Sequence, residues 1–243
     1  MNLLVDLGNT RLKWAVANDL GINTGPAIYN AEVNQNALKH LWQTIEPPNQ
    51  LAVSCVGPVQ LSDLLISVAD ELWPGVQVTR AKSQPSGFGV INAYQIPEKL
   101  GTDRWLSMIA AYQLYQTSLC IVSCGTAITV DVLDASGKHL GGLIAPGLRL
   151  MKEALATGTE NLSLDESDDS FGLATYTNAA IKNGSLSATC GLIEFVLNKQ
   201  PEKIRLVLTG GDAETIATQL SQPYLIEPDL VLKGLALQLR KSL

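Results

Sequence analysis

The chain has 243 residues, a formal net charge of −6, a pI near 4.9 and a mean hydropathy of +0.15, with 46% hydrophobic and 16% charged residues. That is enough chain to bury a sizeable core, with a composition ordinary for a soluble enzyme. The acidic balance, with no Lys/Arg cluster to override it, argues against a nucleic-acid partner, and no apolar run reaches the roughly 18 residues of a membrane span.

Leu3 to Asp6 reads as a strand, followed by a tight turn and a hairpin partner from Arg11 to Ala17. In the partner, Leu12, Trp14 and Val16 share one face, and Arg11, Lys13 and Ala15 the other. Asn36 to Ile45 has the spacing of a helix stopped by Pro47-Pro48, Leu51 to Val56 is a short buried strand, and Ser62 is expected to cap a helix to about Trp73. Val76 to Thr79 is another strand. Ser83 to Pro97 is a long irregular loop of the kind that carries function. Thr102 then caps a helix to about Tyr115 whose apolar stripe is Leu106, Ile109, Ala110 and Leu114.

Strands are expected at Ser118–Ser123, Ala127–Leu133 and Leu140–Ala145, then a helix over Gly147–Ala156. Thr157 to Thr175 is polar and acidic and reads as a surface excursion. Helix Asn178–Asn198, strand Ile204–Leu208, helix Ala213–Leu220 and a last helix from about Asp229 complete the order. A hairpin-first, sheet-then-helix sequence performed twice predicts an α/β protein of two similar lobes. The four cysteines (Cys55, Cys120, Cys124, Cys190) form no C-x-x-C pair, and only His40 and His139 accompany them. Reduced, mostly buried thiols in a cytoplasmic protein are therefore expected, not a zinc site. Leu3-Leu4-Val5 is too short for the apolar region of a signal peptide.

The repeat is also visible in the chemistry. Asp6-Leu7-Gly8-Asn9-Thr10 opens one half, and Ser123-Cys124-Gly125-Thr126-Ala127 answers it in the other, with Gly8 over Gly125. Glycine lets backbone approach a phosphate, turn N–H groups donate to it, and Asn9 and Thr10 add neutral donors. Lys13 projects on the face of Arg11, while Asp6 suits Mg²⁺, directly or through water. Taken alone, either turn is equally an ordinary hairpin. Gly101-Thr102-Asp103-Arg104-Trp105 starts a helix, where an aspartate is commonplace. The same Asp103 could take a hydroxyl proton in phosphoryl transfer, and an arginine fork suits a carboxylate ligand. Thr209-Gly210-Gly211-Asp212 permits flat approach of an adenine ring, or is a plain turn. Gly141-Gly142 and Ala145-Pro146-Gly147 are read as close packing.

Together and in order, D-x-G-N-T, G-x-D-R-W, C-G-T-A-x-T-x-D, G-G-x-I-x-P-G and T-G-G-D resemble the type III pantothenate kinases, of the acetate and sugar kinase/Hsp70/actin superfamily, over nearly the whole chain. The resemblance implies two ribonuclease-H-like lobes, residues 1–115 joined by 229–243 and residues 116–228, with ATP in the cleft between them. The implied reaction is ATP-dependent phosphorylation of pantothenate to 4′-phosphopantothenate, the first step of coenzyme A biosynthesis.

Carried over, Asp6, Leu7, Gly8, Asn9, Thr10, Arg11 and Lys13 form the first phosphate loop, with Gly125, Thr126, Gly210 and Gly211 as further ATP contacts. Asp103 is the general base. Tyr94, Gly101, Thr102, Asp103 and Arg104 line the pantothenate site, and Thr177 reaches pantothenate across a homodimer interface. Mg²⁺ is implied near Asp6, and a monovalent cation, K⁺ or NH₄⁺, beside the residue before C-G-T-A. That residue is usually aspartate; here it is Ser123, which offers an oxygen without a charge and lowers the expected cation dependence. A kinase of another small alcohol on this fold, and a non-enzymatic accessory-factor relative, are the competing readings.

Overall fold

The computed structural model describes residues 1–157 and 171–240. These divide into two compact units, Met1–Leu114 with Asp229–Leu243, and Tyr115–Pro228.

In the first unit, β1 (Asn2–Leu7) and β2 (Arg11–Asn18) form the expected hairpin, pairing Val5 with Trp14 and Asp6 with Lys13. Short strands β3 (Gly21–Thr24) and β4 (Ile28–Tyr29) both add to β2. Helix α1 (Gln35–Trp42) is capped by the Asn34 side chain, which accepts from the Ala37 N–H at 3.0 Å. It ends before the Pro47-Pro48 stop. Strand β5 (Gln50–Cys55) runs parallel to β1, followed by α2 (Val59–Leu72) and β6 (Gln77–Arg80) parallel to β5.

The α2 start differs from expectation. Its N-cap is Pro58, and Ser62 lies inside the helix, buried, its hydroxyl without a hydrogen-bond partner. Valine, glutamine and leucine at 59–61 extend the helix one turn earlier than a serine cap allows. The loop before α3 is not wholly irregular. It folds a small hairpin, β7 (Ser86–Gly87) with β8 (Val90–Ile91), and a 3₁₀ turn at Pro97–Lys99. Helix α3 (Thr102–Tyr115) is buried nearly all round from Arg104 to Ala111, whereas Leu114 is exposed and not part of a stripe.

The second unit repeats the plan. Strands β9 (Leu119–Cys124), β10 (Ala127–Leu133) and β11 (His139–Pro146) are antiparallel neighbours. Then come α4 (Leu148–Thr157), α5 (Thr177–Asn198), β12 (Arg205–Thr209) parallel to β9, α6 (Ala213–Ala217) and β13 (Tyr224–Ile226). Helix α6 is shorter than expected. The acidic excursion falls mostly on residues 158–170, outside the described residues. Helix α7 (Leu230–Arg240) belongs to the first unit and packs on β1 and β5.

The strand orders, β3-β2-β1-β5-β6 and β11-β10-β9-β12-β13, correspond position by position. The first core gathers Leu3, Val5, Leu12, Trp14, Leu51 and Leu65, with Trp42 and Trp73 stacked at 6.1 Å. The second gathers Val122, Ile128, Val130, Ile193 and Leu208. Central β1 is buried on both faces, Leu4 included, which is why it reads as a continuous apolar run. Among the described residues no helix is long and apolar enough to cross a membrane. All four cysteines are free, and Cys120, Cys124 and Cys190 are buried.

Candidate active site

Both hairpin turns are held from outside by backbone. At the first, the Gly8 N–H donates to the Arg11 carbonyl at 3.1 Å, and the Val56 and Gly57 N–H groups both donate to the Leu7 carbonyl at 3.1 Å. A β-carbon on Gly57 would lie 2.2 Å from the Gly8 carbonyl oxygen, so only glycine fits beside the turn. Asn30 supplies the opposite wall. Its Nδ2 donates to the Gly8 carbonyl and its backbone N–H to the Thr10 carbonyl, each at 2.9 Å. Neither Gly57 nor Asn30 was visible as a site residue in the sequence: each arrives through a strand pairing, Gly57 after β5 and Asn30 after β4.

Asp6, one residue before the end of β1, pairs with Lys13 in β2 and Ser54 in β5. Its Oδ1 is sealed from solvent without a hydrogen-bond partner. Burial first, then the charges of Asp103 and Asp229, raise its pKa from 3.8 to about 7; Lys13 and the nearby Ser54 hydroxyl pull the other way. Lys13 Nζ itself lies 3.5 Å from Asp229 Oδ1. Asp6, Lys13, Asp103 and Asp229 thus form one electrostatic group: three acids and one base, short of positive charge.

A divalent cation fits that deficit, since Asp6 has an oxygen with no hydrogen-bond partner in a negatively biased spot. Among the described residues no three Asp, Glu, His or Cys side chains converge to hold a metal by themselves. Mg²⁺ here would therefore depend on Asp6 together with phosphate oxygens and water.

Asp103 sits in the first turn of α3, its Oδ1 accepting from the Arg104 N–H at 2.8 Å. A β-carbon on Gly101 would stand 2.7 Å from that same oxygen, so Gly101 leaves the carboxylate its place. Arg104 is buried, and its guanidinium donates to the Tyr94 hydroxyl at 2.8 Å. Tyr94 is positioned by its own N–H donating to Asn92 Oδ1 at 3.0 Å. The structure thus brings Tyr94, Gly101, Asp103 and Arg104 together on one side of the first unit.

In the second unit the Gly125 N–H donates to the Ala127 carbonyl at 3.2 Å, and the Gly147 N–H to the Thr126 carbonyl at 3.0 Å. Gly147 is a packing glycine: a β-carbon there would be 2.2 Å from the Gly125 carbonyl oxygen. Gly210, at φ +99°, lies equally tight on the Cys124 carbonyl, to which the Asp212 N–H donates at 3.0 Å. Gly211 is exposed.

Ser123 occupies in β9 the place of Asp6 in β1, and its neighbours in register are Thr129 and Thr209. The donor set is three neutral hydroxyls across the sheet. Asp131, further along β10, is buried with its Oδ1 3.0 Å from His139 Nε2. Thr177, also of this unit, is exposed at the start of α5.

The sequence from residue 2 to residue 199 matches the family model for type III pantothenate kinase. A type III pantothenate kinase from Nitrosococcus oceani is 37% identical, covering 97% of this chain and 92% of the relative; one from Burkholderia ambifaria is 34% identical, at 97% and 95%. Among solved structures, a Campylobacter jejuni chain described as a Baf-family transcriptional activator superposes with a TM-score of 0.59 at 20% identity, covering 99% of this chain and 98% of its own. An activator of 2-hydroxyisocaproyl-CoA dehydratase from Clostridium difficile, with bound ADPNP, superposes at 0.54 and 10% identity, covering 100% and 97%. At those identities the superpositions establish the fold alone, that of the actin-like ATPases.

Proposed function

This chain belongs to the type III pantothenate kinase family, a kinase acting with ATP on pantothenate in coenzyme A biosynthesis, and from that premise we propose how its residues share the work. The pantothenate primary hydroxyl attacks the γ-phosphorus of ATP in line, the O–P bond to ADP breaks, and the hydroxyl proton passes to Asp103. Such a transfer asks for little covalent chemistry from protein, so positioning and charge neutralisation carry most of the rate.

The Asp6–Lys13 turn binds the phosphates through backbone N–H groups, Asn9, Thr10, Arg11 and Lys13. Gly125, Thr126, Gly210 and Gly211 supply the second unit's contacts. Asp6 is the residue that would hold Mg²⁺, which when bound would supply neutralisation of the phosphate charge. Arg104, braced by Tyr94, orients the acceptor, and Gly101 and Thr102 shape the backbone around it. The active species is a homodimer in which Thr177 of one protomer contacts pantothenate bound to its partner.

The observation that carries this reading is the Asp6–Asp103–Lys13 group at the end of β1, beside a turn packed so closely that Gly57 admits no side chain. An assay of ADP release decides it. Turnover is expected with pantothenate and not with pantetheine or simple sugars; release that is indifferent to pantothenate overturns it.

A further inference from the structure

Asn30 lies 22 residues from Gly8 and outside every motif in the chain, yet it is bonded to both ends of the first turn. Its Nδ2 reaches the Gly8 carbonyl and its N–H the Thr10 carbonyl. The preceding residue reinforces the brace: Arg11 donates to the Tyr29 hydroxyl at 2.7 Å, and its guanidinium lies 4.6 Å from the Tyr29 ring centre.

The peptide bonds of the turn are trans, so each N–H points opposite to the carbonyl of its own plane. A Gly8 carbonyl drawn to Asn30 turns the Asn9 N–H to the far side, and a Thr10 carbonyl drawn to Asn30 does the same for the Arg11 N–H. Asn30 therefore decides which face of the turn carries donors.

The other end of the amide adds an independent sign. Asn30 Oδ1 is sealed from solvent with no hydrogen-bond partner. A buried orphan acceptor works against stability, so the stabilising contact of this side chain is the one its nitrogen makes to the turn.

We propose that Asn30 is a positioning residue of the first phosphate turn, holding its N–H donors toward the triphosphate of the bound nucleotide. This rests on reading the Asp6–Lys13 turn as the phosphate site, and the test separates the two. Binding of adenylyl imidodiphosphate with Mg²⁺ is measured by calorimetry for the native protein, Asn30→Ala, Asn30→Ser and Lys13→Met, alongside the KM for pantothenate and the melting temperature.

Asn30→Ala is expected to weaken analogue binding about tenfold, the scale of one well-made hydrogen bond, while the KM for pantothenate and the melting temperature stay close to native. Losing a bond and an orphan together leaves stability nearly balanced. Should Asn30→Ala not fold, Asn30→Ser carries the same expectation. If Lys13→Met weakens the analogue and the Asn30 variants do not, the role of Asn30 is overturned and the phosphate turn stands. If neither position affects the analogue, the turn itself is misread and the proposal falls with it. A parallel decline in analogue affinity, pantothenate KM and melting temperature would mark Asn30 as merely structural, and also overturns it.

Discussion

The α-carbon of Gly57 is packed so closely on Gly8 that a methyl group there would come within 2.2 Å of the Gly8 carbonyl oxygen. The obstacle is backbone, which cannot rotate aside. Gly57→Ala is therefore expected to displace the turn, weaken nucleotide binding and cost about 1–3 kcal/mol of stability, the usual range for overpacking. Urea unfolding together with ATP titration checks both effects; a variant with native affinity would show that the turn tolerates movement.

Asp103→Asn keeps the shape of the side chain and removes the proton acceptor. Turnover should fall roughly two to four decades with a modest change in KM. A rate within a few-fold of native would take Asp103 out of the base role.

Asp6 makes metal-free stability depend on pH. Its pKa is raised from 3.8 to about 7 in the folded protein, so between those values the folded state binds this proton more tightly than the unfolded chain does. Its contribution to stability therefore increases as pH falls from about 7 toward 4 and declines as pH rises through 7. Melting curves in chelator across that window should show the trend, and Asp6→Asn should flatten it. An equally steep profile in the variant would assign the effect to another group.

The hydroxyl row Thr129, Ser123 and Thr209 bears on monovalent cations. Turnover in K⁺ should differ little from turnover in a large inert cation, and Ser123→Asp should make the enzyme more responsive to K⁺. A steep, tight K⁺ response in the native protein would contradict this.

What could be read in advance followed from periodicity. Strands β1 and β9 are short apolar runs, their partners β2 and β10 alternate apolar and polar residues, and the glycine turns between them mark the internal repeat that the two matching sheets display. Strands β3, β4 and β13 were missed because they have four, two and three residues and lie mostly exposed, too short to show a pattern. Ser62 misled for a related reason: a hydroxyl residue near a helix start looks like a cap, and only the fold reveals that it is buried one turn inside. Asp6, Lys13 and Asp103 were legible as chemistry, whereas Asp229 was legible only as the start of a helix. Asn30 and Gly57 were legible as nothing in particular, since the sequence carries no mark of which carbonyl a distant amide will meet.

Helix α7 leaves a biosynthetic order in the molecule. Gly234 lies against the Leu106 backbone, a β-carbon there falling 2.4 Å from its carbonyl oxygen, so α7 braces the helix that bears Asp103. On the ribosome, residues 230–240 emerge only after the entire second unit, so that unit has every strand it needs while the first still lacks a wall. The half that is begun first is finished last, and a nascent chain stalled near Pro228 would carry Asp103 on a helix still missing one of its walls.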